Sequence, residues 1–166
     1  MGLVDFNQLP DDARVWVFGS DRPLNDQQRA RLLATVDDHL AQWKAHGAPL
    51  TCARAWTENR FLTIGVDQRT EGASGCSIDV LFRTLQQLER ELGLSLVGGG
   101  RVFYRTRNGD VNAVDREEFY GLAERGAITR HTPVFDTTVM TLGDWRARFE
   151  GPAEGSWHGQ LLPAKA

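Results

Sequence analysis

The sequence predicts an α/β (α+β) protein with a ferredoxin-like core, in which an antiparallel sheet carries two helices on one face. Short segments with alternating apolar residues have the period of strands, and two longer segments have apolar residues three and four apart, as helices do. Up to residue 107 these segments follow the order strand, helix, strand, strand, helix, strand. This is the split βαβ order, and right-handed crossovers place both of its helices on the same face of the sheet.

The first strand of this core is expected at 14–19, where apolar residues alternate between two faces. The first helix is expected to begin after Asn25, because Asn25 and Gln28 have the spacing of a capping box. It is expected to end at His46-Gly47, since glycine commonly follows the last turn of a helix. One face of this helix is apolar and consists of Leu32, Leu33, Val36, Leu40 and Trp43.

The second and third strands are expected as a hairpin of 50–57 and 60–67 around a two-residue loop at 58–59. Such a loop pairs Trp56 with Phe61. In this register the aliphatic residues of the third strand face the helices. The opposite face of the sheet then carries four aromatic residues, Trp16, Phe18, Trp56 and Phe61.

The second helix follows a loop that carries glycines, and the stretch 67–92 contains both features. Ser74 or Ser77 can cap this helix, since a hydroxyl accepts a hydrogen bond from a free amide of the first turn. Asp79 complements the positive end of the helix dipole, and Gly93 is expected to end the helix. Its apolar stripe consists of Ile78, Leu81, Leu85, Leu88 and Leu92.

At 166 residues the chain is long enough to bury a substantial core, and it is expected to form one domain, 1–166. The ferredoxin-like core covers about 14–107, with 101–107 as its fourth strand, and 108–166 form a C-terminal extension. Asn108-Gly109 predicts a hairpin at this boundary. The extension is expected to contain a strand at 110–114, a helix opened by Asp115 and Glu118, a strand at 133–140 and a helix opened by Thr141 and Asp144.

Three residues with the chemistry of a thiol enzyme are expected at one edge of the sheet. The first helix ends there at His46, the third strand ends there at Asp67, and the second helix begins there with Cys76. Free amides and the dipole at a helix start favour a thiolate. His46 could accept the thiol proton, and Asp67 could orient the imidazole. Asp79 opposes this chemistry by repelling a thiolate, and the alternative is that Cys76 packs as a small apolar residue.

The same loop has features of a site for a small anionic ligand. Gly72 and Gly75 suggest a backbone concavity, because amides at a helix start point toward a negative group. The alternative is that these glycines only make the turn. The ligand-binding candidates are Ser74, Gly75, Ser77 and Asp79. The sequence leaves open whether the protein is an enzyme, and it names no substrate.

Two further functional hypotheses depend on the aromatic face of the sheet. Aromatic residues beside Arg54 could stack bases or contact a protein, which would make this a non-catalytic binding module. The strand at 59–66 lacks the glycine-rich aromatic signature of the RNA-recognition sheet. Otherwise this face is expected to be covered, either by 117–166 with Trp145 and Trp157 or by the second subunit of a structural homodimer. Large exposed aromatic patches are rare on monomers.

Composition and charge exclude several classes of partner. The formal net charge of -3 gives no bulk attraction to nucleic acid. No apolar run has the length of a membrane span, and no charged-then-apolar leader is present, so no membrane partner is expected. Two cysteines do not make a disulfide framework, and the expected compartment is the reducing cytoplasm. No cofactor and no metal site are expected, because metal-ligand spacing is absent from the four histidines, His39, His46, His131 and His158.

Five segments, RVWVF, WKAHG, VDQRTEGASGCSID, TPVFD and SWH, together resemble a family of small bacterial proteins often labelled "ABC transporter ATPase". The resemblance covers most of the chain, and ASGCSID and SWH are its most specific parts. The label implies a nucleotide-binding cassette, but the sequence contains no Walker A motif, and neither Lys44 nor Lys165 follows a glycine. The protein is therefore expected not to be an ATPase. The resemblance implies only that the Cys76 loop belongs to the pattern of the family.

Overall fold

A computed structural model describes residues 2–69 and 71–164. The chain divides into two compact units. Unit 1 comprises Met1–Val97 and Thr138–Ala147, and unit 2 comprises Gly98–Thr137 and Arg148–Ala166. Both units combine helical segments with sheet, so the predicted mixed α/β class is confirmed.

The strands, in chain order, are β1 (Gly2–Leu3), β2 (Arg14–Gly19), β3 (Lys44–Ala45), β4 (Ala48–Pro49), β5 (Thr51–Thr57), β6 (Phe61–Val66), β7 (Arg101–Arg105), β8 (Val111–Asp115), β9 (Pro133–Phe135) and β10 (Glu150–Pro152). The α-helices are α1 (Asp26–Gln42), α2 (Gly75–Leu92), α3 (Arg116–Glu124) and α4 (Leu142–Arg148). Short 3-10 turns lie at Phe6–Gln8, Ala153–Gly155 and Trp157–Leu161. Among the described residues, no helix combines the length and the apolar character needed to cross a lipid bilayer.

The main sheet of unit 1 has the strand order β1-β5-β6-β2. β6 pairs antiparallel with both β2 and β5, as the split βαβ arrangement requires, whereas β1 adds a short parallel strand to β5. The predicted fourth strand, β7, lies instead in the sheet of unit 2, because both of its edges pair there, with β8 and β9. In unit 1, Val15 N at the edge of β2 donates a hydrogen bond of 2.9 Å to Met140 O.

The hairpin of β5 and β6 differs from the prediction by one residue. Its loop has three residues, 58–60, and Glu58 and Asn59 both have positive φ, 55° and 54°. Trp56 therefore pairs with Leu62 and not with Phe61. Because successive residues of a strand point to opposite faces, this shift moves the side chains of β5 to the other face relative to those of β6.

Three aromatic residues of the sheet lie under the helices. The hairpin shift places Trp56 there, and the register of β2 with β6, which pairs Trp16 with Ile64 and Phe18 with Leu62, places the other two. Trp16 contacts Trp43 at the end of α1 with a ring-centroid distance of 6.4 Å, and Phe18 contacts Phe82 of α2 at 5.6 Å. Trp56 packs against the same core. The prediction that these three residues face away from the helices is thus wrong, and the core on this side includes Leu32, Val36, Leu40, Leu62, Ile64, Leu81 and Leu85.

The opposite face of the sheet is covered from within unit 1. Its core consists of Leu9, Ala13, Val15, Ala53, Val139 and Leu142, with Phe6 and Trp145 packed against it. The predicted cover by the C-terminal part of the chain is wrong for Trp16 and Trp56, which pack under the helices. Trp145 instead covers this opposite face, and Trp157 packs in the core of unit 2. Gly65 lies at a close approach of two segments, since a Cβ on it would lie 2.8 Å from Leu9 Cδ1.

Unit 2 is built on an antiparallel sheet with the strand order β10-β9-β7-β8. The predicted hairpin at Asn108-Gly109 is confirmed, and Gly109 has the positive φ, 92°, that this turn requires. α3 begins at Asp115, whose side chain accepts a hydrogen bond of 2.7 Å from Glu118 N, as predicted. The core of unit 2 includes Val102, Tyr104, Val114, Phe119, Ala123, Ile128 and Val134.

Candidate functional site

A reciprocal pair of serines closes the start of α2. Ser74 is the N-cap residue, and its Oγ accepts a hydrogen bond of 3.2 Å from Ser77 N. Ser77 Oγ accepts a bond of 2.8 Å from Ser74 N. These bonds satisfy amides that a helix start would otherwise leave free, and of the two predicted caps, Ser74 and Ser77, Ser74 is the N-cap residue. Both hydroxyls are engaged with the helix itself, and a ligand would have to compete for them.

Cys76 and Asp79 are exposed at the beginning of α2, and Cys76 is a free thiol. Gly75 has no positive φ, and a Cβ built on it would meet nothing within 4 Å. Neither backbone conformation nor crowding therefore requires glycine at position 75. The thiol of the next residue is accessible from solvent on an uncrowded helix start.

The carboxylate proposed to orient an imidazole is bound to an arginine. Asp67 is 6% exposed, and its Oδ1 accepts hydrogen bonds of 3.0 Å from Arg69 N and from Arg69 Nε. The Arg69 guanidinium, by hydrogen bonding, lowers the pKa of Asp67 below its usual value. His46 is exposed in the turn between β3 and β4, with φ of 51°. Among the described residues, Cys76, His46 and Asp67 share no hydrogen bond, so their joint action stays a hypothesis.

A pocket of about 380 Å³ lies beside this helix start, between the C-terminal end of α1 and the first turns of α2. Trp43 Nε1 donates a hydrogen bond of 2.9 Å to Ser77 O, which joins the two helix ends and fixes the indole. Val80, on the first turns of α2, is 41% exposed. The pocket is lined by Asp38, His39, Gln42, Trp43, Lys44, Ser77 and Val80.

His39 contributes to the wall of this pocket a buried nitrogen that has no hydrogen bond in the described part of the chain. Its ring lies 5.7 Å from the Trp43 ring, centroid to centroid, and its Nε2 is buried without a hydrogen bond among the described residues. Burial lowers the pKa of His39, so the neutral imidazole prevails near pH 7. A neutral imidazole with one unsatisfied nitrogen can donate or accept a hydrogen bond, according to its tautomer.

Sequence reasoning missed this pocket. The sequence marks His39 only as one of four histidines without metal-ligand spacing, and Trp43 only as part of the apolar face of the first helix. The available signal was their spacing, because residues four apart on a helix are neighbours on its surface. Of the predicted ligand-binding residues, only Ser77 lines the pocket.

The SWH string encloses a buried histidine in unit 2. His158 is 0% exposed, its ring stacks on that of Trp157 at 4.1 Å, and its Nε2 has no hydrogen bond among the described residues. Burial lowers the pKa of His158 to about 4, against an opposing effect of Asp136. The ring is therefore neutral near pH 7 and belongs to the core of unit 2.

Within residues 2–69 and 71–164, no group of three or more histidine, cysteine or carboxylate side chains is placed to hold a metal ion. Comparison of the chain with protein-family models, with curated proteins and with solved structures finds no match. The resemblance drawn from ASGCSID and SWH therefore stays a prediction, and function is argued from geometry.

Proposed function

We propose that unit 1 is a small-molecule-binding module whose ligand occupies the pocket between the end of α1 and the start of α2. The observation that carries the proposal is the buried, unpartnered Nε2 of His39 beside the fixed indole of Trp43. An unsatisfied buried polar group costs roughly 1–3 kcal/mol, and a ligand that bonds to it recovers part of that cost. This helix-end arrangement belongs to the β2-α1-β5-β6-α2 segment, which we propose derives from a ferredoxin-like core.

The size of the pocket supports a small organic ligand. Its volume of about 380 Å³ falls at the lower end of the roughly 300–1,000 Å³ that small-molecule sites occupy. Trp43 and Val80 offer an aromatic and an aliphatic wall. His39 can offer one directional hydrogen bond once its ring turns to bring the buried Nε2 to the pocket. These features fit a ligand with a flat apolar body and one polar group.

The charge around the pocket supports a ligand with an anionic end. Lys44 contributes a cation to the wall, and the start of α2 contributes the positive end of a helix dipole. Asp38 and the negative end of the dipole at the C-terminus of α1 also border the pocket and oppose a second negative charge. An aromatic monocarboxylate is the simplest compound that combines these properties.

A thiol reaction at Cys76 is the second candidate, favoured by the exposure of its thiol one residue before Ser77 in the pocket wall. The contacts of Asp67 with Arg69 leave His46 as the partner to test.

Binding can be tested with a panel of aromatic carboxylates and their uncharged amides, followed by tryptophan fluorescence and ligand-observed NMR. Val80→Arg fills the pocket from the helix surface, and His39→Phe removes the hydrogen bond while keeping a ring. We expect either substitution to weaken binding by about tenfold or more, since one well-made hydrogen bond or blocked contact is worth about 1.4 kcal/mol.

The matched control is Met140→Arg, which places the same side chain at another exposed apolar residue of unit 1, outside the pocket. It should leave binding unchanged. Compounds that bind Val80→Arg as tightly as the wild type, or a panel in which no compound binds, would refute the pocket as the functional site.

A further inference from the structure

We infer that unit 2 carries a second binding site, for a phosphate group, in the pocket between the β7–β8 turn and residues 127–133. This site lies entirely within unit 2 and does not rest on the function proposed for unit 1. The pocket has a volume of about 210 Å³. That is below the roughly 300–1,000 Å³ of sites for whole drug-sized ligands, so it fits a compact ion or the terminal group of a larger molecule.

The polar side chains that line this pocket are three hydroxyls, two guanidinium groups and one imidazole. Among the described residues, the lining contains no carboxylate, and its polar members are Arg105, Thr106, Arg107, Thr129, His131 and Thr132. Such a lining favours an anion although the chain as a whole has a formal net charge of -3. Charges and hydrogen-bond donors within a few ångströms determine which small ligand binds, because water and salt screen the more distant charges of the chain.

The three threonine hydroxyls are set as donors by the backbone around them. Thr106 Oγ1 accepts a hydrogen bond of 3.2 Å from Asp110 N, and Thr132 Oγ1 accepts one of 2.9 Å from Thr129 N. Thr129 Oγ1 in turn accepts one of 3.2 Å from His131 N. A hydroxyl that already accepts a bond from a backbone amide keeps its own hydrogen to donate elsewhere. Three donors of this kind around one pocket suit the several oxygens of a phosphate.

Arg107 supplies the uncompensated cation. The charge of Arg105 is already paired, because its Nε lies 2.7 Å from Glu150 Oε2 and its Nη1 donates a hydrogen bond of 2.7 Å to Gly109 O. His131 Nε2 accepts a hydrogen bond of 3.3 Å from Arg130 Nε, and His131 Nδ1 lies 3.6 Å from Glu154 Oε1. Both ring nitrogens are thus engaged, and the imidazole lines the pocket without donating to the ligand. Arg107 is exposed, and its guanidinium makes no hydrogen bond or ion pair among the described residues.

A phosphate is preferred to a carboxylate because of the shape of the donor set. A carboxylate is planar and offers two oxygens, which a single arginine fork can satisfy. The donors here come from a turn and from a second segment, and a tetrahedral group with oxygens on all sides can accept from both. Arginine is also the side chain best matched to phosphate geometry.

The test is a titration of the full-length protein with inorganic phosphate at constant ionic strength, followed by amide NMR shifts and by calorimetry. We expect saturable, one-to-one binding, with the shifts concentrated at 105–107 and 129–132. Arg107→Ala should weaken binding about tenfold or more, because it removes a charge-assisted hydrogen bond. Arg101→Ala, the control, removes the same charge from the other end of β7 and should change binding less than about twofold.

Two parallel titrations identify the ligand class. A phosphomonoester that binds more tightly than inorganic phosphate, with the same dependence on Arg107, would identify the ligand as a phosphorylated small molecule. Acetate should bind at least about tenfold more weakly than phosphate. Shifts that do not saturate, equal binding to Arg107→Ala, or acetate binding as tight as phosphate would each overturn the inference.

Discussion

Ser156 Oγ lies 2.6 Å from Nδ1 of His158, so the hydroxyl that caps the turn Trp157–Leu161 also holds the ring of a fully buried histidine. On its other side the ring neighbours Phe119, with 6.1 Å between centroids. A proton added to this imidazole would carry a charge into an apolar core, where the hydration that stabilises it in water is lost.

The stability of unit 2 is expected to fall in mild acid. The unfolded chain protonates His158 below about pH 6.5, its ordinary pKa, whereas the folded chain does so only near pH 4. The unfolded state therefore binds more protons between these values, and the free energy of unfolding decreases as the pH falls through this window. The full shift corresponds to at most about 3 kcal/mol, and it can be measured by denaturant unfolding at pH 7 and pH 4.5.

His158→Gln should remove this contribution to the pH dependence, whereas His131→Gln, at an exposed histidine of the same unit, should not. The fluorescence of Trp157, the one tryptophan in the sequence of unit 2, reports its unfolding in a variant whose other tryptophans are replaced by phenylalanine. An identical pH dependence in His158→Gln and the wild type would contradict the assignment.

The two cysteines are expected to react at very different rates in the native protein. Cys52 is buried, its Sγ lies 3.4 Å from Leu40 O, and burial raises its pKa to about 11. Cys76 is exposed. A thiol probe should therefore label Cys76 about as fast as it labels a small free thiol, and it should label Cys52 only after unfolding. Mass spectrometry of Cys52→Ser and Cys76→Ser measures the two labelling rates separately.

The pH profile of Cys76 labelling separates accessibility from activation. A helix start stabilises a nearby negative charge by only roughly 0.3–1 kcal/mol, and the carboxylate of Asp79 opposes this effect, so position alone gives little activation. A labelling rate well above that of a free thiol, reduced by His46→Ala, would support thiol chemistry. A profile that matches a free thiol with and without His46 would leave Cys76 as an exposed surface residue.

Two glycine-to-alanine substitutions should have opposite effects on stability. In Gly65→Ala, the new methyl group would lie 2.8 Å from Leu9 Cδ1 and 3.6 Å from Val15 Cγ1, so the second core of unit 1 must shift. We expect a loss of about 1–3 kcal/mol. Gly75→Ala meets no atom within 4 Å and has no positive φ, so it should be neutral or stabilising by up to about 1 kcal/mol.

Thermal and denaturant unfolding of both variants measures the difference. Since Gly75→Ala leaves the fold unchanged on this reasoning, it also probes the start of α2 for ligand binding without a loss of stability. A Gly65→Ala protein as stable as the wild type would show that Leu9 can move aside at little cost.

The purified protein is expected not to hydrolyse ATP. The sequence has no Walker A motif, and its two lysines, Lys44 and Lys165, do not follow glycines. Phosphate release from ATP with magnesium should not exceed that of a heat-inactivated sample. Turnover clearly above that background, and lost when residues 72–76 are substituted, would contradict this expectation.

Local signals in the sequence predicted the helix starts well. Asn25 with Gln28 and Asp115 with Glu118 form their capping bonds, because a cap depends only on residues three apart. The loop at 58–60 shows the limit of such local signals, since the same sequence is compatible with a two-residue or a three-residue hairpin loop. One extra loop residue moved Trp56 to the helical side of the sheet.

Local sequence also does not determine which strands pair with each other. The order of elements is the same whether β7 joins β2 or pairs with β8 and β9, and only the latter pairing satisfies both of its edges. The pocket of unit 1 needs His39 of α1 near Ser77 of α2, a juxtaposition set by the packing of two helix ends. The cap at Ser74 was visible in the sequence, whereas this neighbourhood was not.

The return of residues 138–147 to unit 1 has a consequence for synthesis on the ribosome. β2, β5 and β6 leave the ribosome early, but Val139 and Leu142, which complete the core on one face of their sheet, are made after most of unit 2. Until then that face, around Val15 and Ala53, lacks part of its cover, and the nascent chain exposes an apolar surface of the kind that chaperones bind. Because α4 is synthesised after residues 98–137, the core of unit 1 can be completed only after most of unit 2 has been made.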